Sequence, residues 1–102
     1  MDDSKIKFGR ELAQSVADRV QNGAEYHETH RDYCGMGLFY VDGLFVYGTV
    51  VDGWLAKRVL EFETKEKFVS WLSEQSDDSL DGKENGSFDY KNQRITRSKL
   101  GF

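Results

Sequence analysis

The stretch Leu38-Phe39-Tyr40-Val41-Asp42-Gly43-Leu44-Phe45-Val46-Tyr47 decides the fold. Two runs of β-branched and aromatic residues flank an Asp-Gly pair, which is favoured in a two-residue hairpin turn because both of its positions take positive φ. A second pair, Asp52-Gly53, follows Val50-Val51 and precedes Trp54-Leu55, and strand character continues to Phe62. The pattern predicts a three-stranded antiparallel meander. Counting outward from two-residue turns sets Val41 opposite Leu44, Phe39 opposite Val46, Val51 opposite Trp54 and Tyr47 opposite Arg58. One face then carries Phe39, Val41, Leu44, Val46, Val50, Leu55 and Val59. The other carries Leu38, Tyr40, Phe45, Tyr47, Val51, Trp54, Leu60 and Phe62, interrupted by Thr49 and Arg58. Both faces are largely apolar, so the sheet is either covered on both sides or keeps an aromatic patch for a partner.

Upstream of the meander, residues 4–22 place Phe8, Leu12, Val16 and Val20 four apart, with Gly9, Ala13 and Ala17 alongside. This is one apolar stripe on a helix, with Ser4 available as its cap and Asn22-Gly23 as its end. Residues 24–37 show little periodicity and read as a loop or irregular approach to the sheet. Downstream, Thr64 is placed to cap a helix over residues 65–75 that buries Phe68, Val69, Trp71 and Leu72. An acidic loop follows over residues 76–86, and Thr96 can open a short C-terminal helical turn. The prediction is a single α+β domain over residues 1–102: the meander flanked by an N-terminal helix and a second helix after the sheet.

The composition narrows the function. The chain has 102 residues, with 14 Lys plus Arg against 18 Asp plus Glu and a net charge of -4. Nucleic acid is not an expected partner, because binding to phosphate backbones relies on a basic footprint. No run approaches the apolar length of a membrane span and no export signal is visible at the N-terminus, so the expectation is a cytoplasmic protein with no membrane partner. The lone Cys34 has no second thiol with which to form an internal disulfide, which fits a reducing compartment.

Chemistry-bearing clusters are sparse. His27, His30 and Cys34, with Glu25, Glu28 and Asp32 nearby, form the only grouping of metal-capable or nucleophilic side chains. Zinc sites use three or four ligands in paired spacings, and the chain has no other His or Cys to supply a second pair. A Cys nucleophile beside a His base would need an alignment that closeness in sequence does not provide. A calcium loop starting at Asp77 has Gly82 at its sixth position but Phe88 where the twelfth requires a bidentate Glu. Gly35-Met36-Gly37 lacks the remainder of a phosphate-binding loop. The reading is therefore no enzyme, no metal and no cofactor.

Charge is segregated along the chain. Residues 22–56 hold five acids against Arg31 alone, residues 61–89 nine acids against three lysines, and residues 90–102 four bases and no acid. Such a chain can present a negative surface to a basic partner and keep its basic tail for internal pairing.

The run Lys67-Phe68-Val69-Ser70-Trp71-Leu72-Ser73-Glu74-Gln75-Ser76-Asp77-Asp78-Ser79-Leu80-Asp81-Gly82, followed by Phe88 and Asn92-Gln93-Arg94-Ile95-Thr96-Arg97, resembles small bacterial immunity proteins. These are the partners of contact-dependent growth inhibition and related polymorphic toxins. The pattern F-x-x-W-L-x-x-Q-S-D-x-S-L-x-G, then N-Q-R-I-T-R, covers about a third of the chain and contains no catalytic signature. The resemblance implies a toxin-neutralising protein whose partner is the C-terminal domain of a cognate toxin. Many such toxins are nucleases, whose surfaces are basic. Non-catalytic occlusion would then use Glu25, Glu28, Asp32, Asp52, Asp77, Asp78 and Asp81 as acidic contacts and Tyr47 and Trp54 as aromatic anchors. A monomer or weak homodimer is expected. The alternative is a structural or adaptor protein that dimerises through its aromatic sheet face.

Overall fold

The computed structural model describes residues 5–27, 34–51, 54–80 and 95–102, with His27 and Cys34 described in their backbone alone. In chain order the elements are α1 (Arg10–Gln21), β1 (Tyr26–His27), β2 (Cys34–Val41), β3 (Leu44–Val51), β4 (Trp54–Phe62) and α2 (Lys65–Ser73). The strands lie in the order β1-β2-β3-β4 and every neighbouring pair is antiparallel. This is the expected α+β meander between two helices, widened by the two-residue β1, which sets Tyr26 opposite Leu38.

The first hairpin turns on Asp42 at φ 54° and Gly43 at φ 76°, as its sequence requires. The second turn pair lies outside the described residues, but Val51 faces Trp54 across it. Val41–Leu44 and Phe39–Val46 pair as the counting predicts. Tyr47 does not: it faces Leu60 instead of Arg58, because the register slips between Tyr47 and Gly48 and again between Thr49 and Val50. Each slip inserts one extra residue, Ala56 and then Val59, into β4. Arg58 moves to the face of Gly48, and Val59 packs with the helical core instead of on the opposite face.

Gly48 permits this geometry. A Cβ there would run into the Lys57 carbonyl oxygen and sit 2.5 Å from Leu55 Cδ1. Next to it, the Lys57 N–H donates to Thr49 Oγ1 at 3.0 Å.

Helix α1 buries Leu12, Ala13, Val16, Ala17 and Val20, the predicted stripe, and ends at Asn22 with Gly23 at φ 107°. It begins at Arg10, later than the periodicity suggests. The Phe8 and Gly9 N–H groups donate to the Gln75 and Ser73 carbonyls at 2.7 and 3.0 Å, satisfying acceptors that the end of α2 leaves open. That segment is thus committed to α2 and not to a first helical turn; α1 has no side-chain cap, and Ser4 lies outside the described residues. At α2 the predicted cap is in place, with the Lys67 N–H donating to Thr64 Oγ1 at 3.2 Å. Three ion pairs, Lys65–Asp18 at 2.7 Å, Lys7–Glu74 at 2.6 Å and Arg10–Glu66 at 2.9 Å, set one helix against the other.

Both helices cover one face of the sheet, over Met36, Leu38, Phe45 and Tyr47. Phe45 stacks on Phe68 with centroids 4.9 Å apart, and Trp71 lies 5.0 Å from Phe62 and 5.4 Å from Tyr47. Leu80, Ile95 and Leu100 complete this core. The C-terminal segment makes the expected turn, with the Leu100 N–H donating to the Thr96 carbonyl at 3.0 Å. Arg97 of this segment donates to the Lys7 carbonyl at 2.9 Å, and the Arg19 guanidinium of α1 lies 4.7 Å from the Phe102 ring centroid. Among the described residues, no helix is long and apolar enough to cross a membrane.

Candidate partner-binding groove

The face turned away from the helices closes in a different way. Phe39, Val46 and Val50 are buried there beneath Val41, Leu44 and Leu55. Gly37 and Gly48 stand directly opposite each other on adjacent strands. Phe39 leans over Gly37, its ring carbon 2.6 Å from where a Cβ would stand, and Leu55 leans over Gly48. Among the described residues, large side chains thus lie across this pair of glycines and cover part of the apolar surface of these strands.

A groove of about 680 Å³ opens on this face, lined by Glu25, Phe39, Val41, Trp54, Leu55, Ala56 and Arg58. Its lining joins opposite edges of the sheet: Glu25 immediately precedes β1, whereas Ala56 and Arg58 belong to β4. Residues from both edges meet around one hollow only if the sheet curls with this face concave, and the two β4 bulges supply the extra twist that curling needs. Trp54 opens β4 opposite Val51, which by alternation lies on the Tyr47 side of the sheet, and it borders the groove from that end of the strand; it is 78 % exposed, the most exposed large apolar side chain described.

The groove contains two charged groups, and they differ in what they already hold. Arg58 donates to Asp42 Oδ2 at 2.6 Å and lies 3.8 Å from Glu61. The Asp42 carboxylate holds the Arg58 guanidinium above its ordinary value. Glu25 is exposed and has no hydrogen-bond or ion-pair partner among the described residues. The groove therefore combines an aromatic side chain, an aliphatic floor, a neutralised cation and a carboxylate with no partner among the described residues. No nucleophile stands beside a base in this lining.

Of the sequence-predicted contacts, the groove brings together Glu25 and Trp54. Tyr47 is a correction: it is 2 % exposed, beneath α2 and against Trp71, so it belongs to the core and does not anchor a partner. Its cross-strand partner Leu60 and the helices together bury the ring that sequence alone left on an unassigned face. Asp77 is half-buried and accepts the Arg97 N–H at 2.6 Å, an internal use for a carboxylate expected to meet a partner. It lines a separate hollow of about 390 Å³ with Ile6, Arg97, Ser98 and Phe102. Asp78 is exposed. Glu28, Asp32, Asp52 and Asp81 lie outside the described residues, as do His30 and the side chains of His27 and Cys34. No group of three or more His, Cys, Asp or Glu placed to hold a metal occurs among the described residues.

Sequence reading missed Arg58, Phe39, Val41, Leu55 and Ala56 as parts of a site. Arg58 left a trace, a charge interrupting an otherwise largely apolar face in the counted register, but without the bulges it falls on the wrong face. No protein-family model matches this chain, and neither a curated protein nor a solved structure matches it.

Proposed function

We propose that this chain is an immunity protein that binds and neutralises a cognate bacterial toxin by covering its active surface, without catalysis of its own. One observation carries the reading: an exposed Trp54 bordering a groove that also holds Glu25, a carboxylate with no partner among the described residues. Exposed aromatic side chains beside a concave apolar surface are the usual anchors of protein interfaces. The net charge of -4 favours fast encounter with a basic partner such as a nuclease. The likeness of residues 67–82, Phe88 and residues 92–97 to immunity proteins supports a toxin as the partner.

The test is co-expression of the toxic C-terminal fragment encoded by the neighbouring gene, with and without this chain. Rescue of growth and formation of a complex are the expected results. Failure to bind or neutralise that fragment ends the immunity reading. A homodimeric adaptor is the second reading, favoured by the exposure of Tyr40, Val51 and Leu60 around the rim of the aromatic face. Gel filtration at low concentration separates the two, since an obligate dimer does not elute at 11.8 kDa.

A further inference from the structure

We infer that the groove receives a basic side chain of the partner, an arginine or lysine, laid along Trp54 with its charged head toward Glu25. The inference rests on the partner-binding reading and names the chemistry of the contact. A guanidinium or ammonium on an aliphatic stem needs an apolar channel for the stem and an electron-rich face or a carboxylate for the head. Phe39, Val41 and Leu55 provide the first; Trp54 and Glu25 provide the second.

Arg58 does not reverse this charge preference. Its guanidinium is engaged by Asp42 at 2.6 Å and approached by Glu61 at 3.8 Å, so the local sum over these three groups is negative before Glu25 is counted. An acidic visitor would have to displace Asp42 from Arg58, whereas a basic one finds Glu25 without a partner among the described residues. The occupant favoured by charge complementarity is therefore cationic.

The experiment uses the full chain labelled for NMR, titrated to about 50 mM with three blocked tripeptides: Gly-Arg-Gly, its citrulline counterpart and Gly-Glu-Gly. These concentrations suit a single side chain, which binds weakly. The expected result is a saturating shift of the Trp54 indole N–H signal with the arginine peptide, with the half-buried Trp71 as internal reference. Citrulline keeps the shape and loses the charge, so it should bind several-fold more weakly. Trp54→Ala should weaken binding of the arginine peptide, followed through the groove backbone signals, by about tenfold, and Glu25→Gln by about threefold. Both side chains are exposed, so neither change threatens folding. Equal binding of arginine and citrulline peptides, stronger binding of the glutamate peptide, or no shift at all would overturn the inference. If the co-expressed toxin is neutralised but the peptides fail, the groove chemistry is wrong and the immunity reading survives. If the arginine peptide binds and no toxin is neutralised, the reverse holds.

Discussion

The two faces of the sheet bury apolar surface by opposite means. On one, Met36, Leu38, Phe45 and Tyr47 lie beneath two helices and the segments that carry Leu80, Ile95 and Leu100. On the other, among the described residues, Phe39, Val46 and Val50 pack against side chains of the same strands, two of which lie over a pair of glycines. The first arrangement gathers the large rings and most of the core, and it occupies every surface it uses. The second is thinner, but it leaves a concave surface open. Among the described residues, the helical face carries most of the core and the other face borders the groove.

The comparison breaks most sharply at Phe68, fully buried between Phe45 and Phe62. Phe68→Ala should cost about 3–5 kcal/mol in denaturant unfolding, enough to leave the protein partly unfolded. An effect under about 1 kcal/mol would mean that the helical face is not the main source of stability. On the opposite face, Gly48→Ala should cost about 2 kcal/mol, because the new Cβ meets a backbone carbonyl that side-chain rotation cannot relieve. Its amide spectrum should change along β4, where the bulges must shift. At the margin of the helical layer, Thr64→Ala should lose about 1 kcal/mol through the missing cap on α2.

Trp54→Ala sharpens the contrast from the other side. With the indole largely in solvent, the melting free energy should stay within about 0.5 kcal/mol of the parent while toxin binding falls. A large loss of stability would place Trp54 in the structural class and remove it from the binding one.

The smallest effect concerns the seam between the helices. The hydrogen bond from Lys65 holds the Asp18 carboxyl below its ordinary value. A carboxyl lowered in the folded state contributes stability above its unfolded pKa and loses it as pH falls through the folded value. Lys65→Met should therefore raise the Asp18 titration midpoint toward the ordinary carboxylate range, read by carboxyl NMR, and flatten the acid limb of stability slightly. An unmoved midpoint would show that the pair does not persist in solution.

The sequence expresses local chemistry well here and long-range geometry poorly. The Asp42-Gly43 turn, the Thr64 cap and the apolar stripe of α1 are each specified by a few neighbouring residues, and each stands where it was expected. The β4 bulges depend on what lies across the sheet at Gly48 and Thr49, so counting in twos along the strand put Arg58 and Val59 on each other's faces. The start of α1 was misread for a similar reason, since Phe8 and Gly9 answer to carbonyls more than sixty residues away. In the candidate site, Trp54 and Glu25 were visible as residue types, but their meeting needed a curl of the sheet that no periodicity encodes. Tyr47 could not be told from an anchor until the helices had chosen a face.

The C-terminal segment has a consequence for how the chain assembles. Arg97 holds the Lys7 carbonyl across a separation of 90 positions, and Arg19 reaches the Leu100 carbonyl across 81. Closing such long loops is entropically costly and slow relative to forming a hairpin. The β2–β3 ribbon can therefore form early, while α1, although translated before it, waits for a segment made some eighty residues later before its own packing is complete.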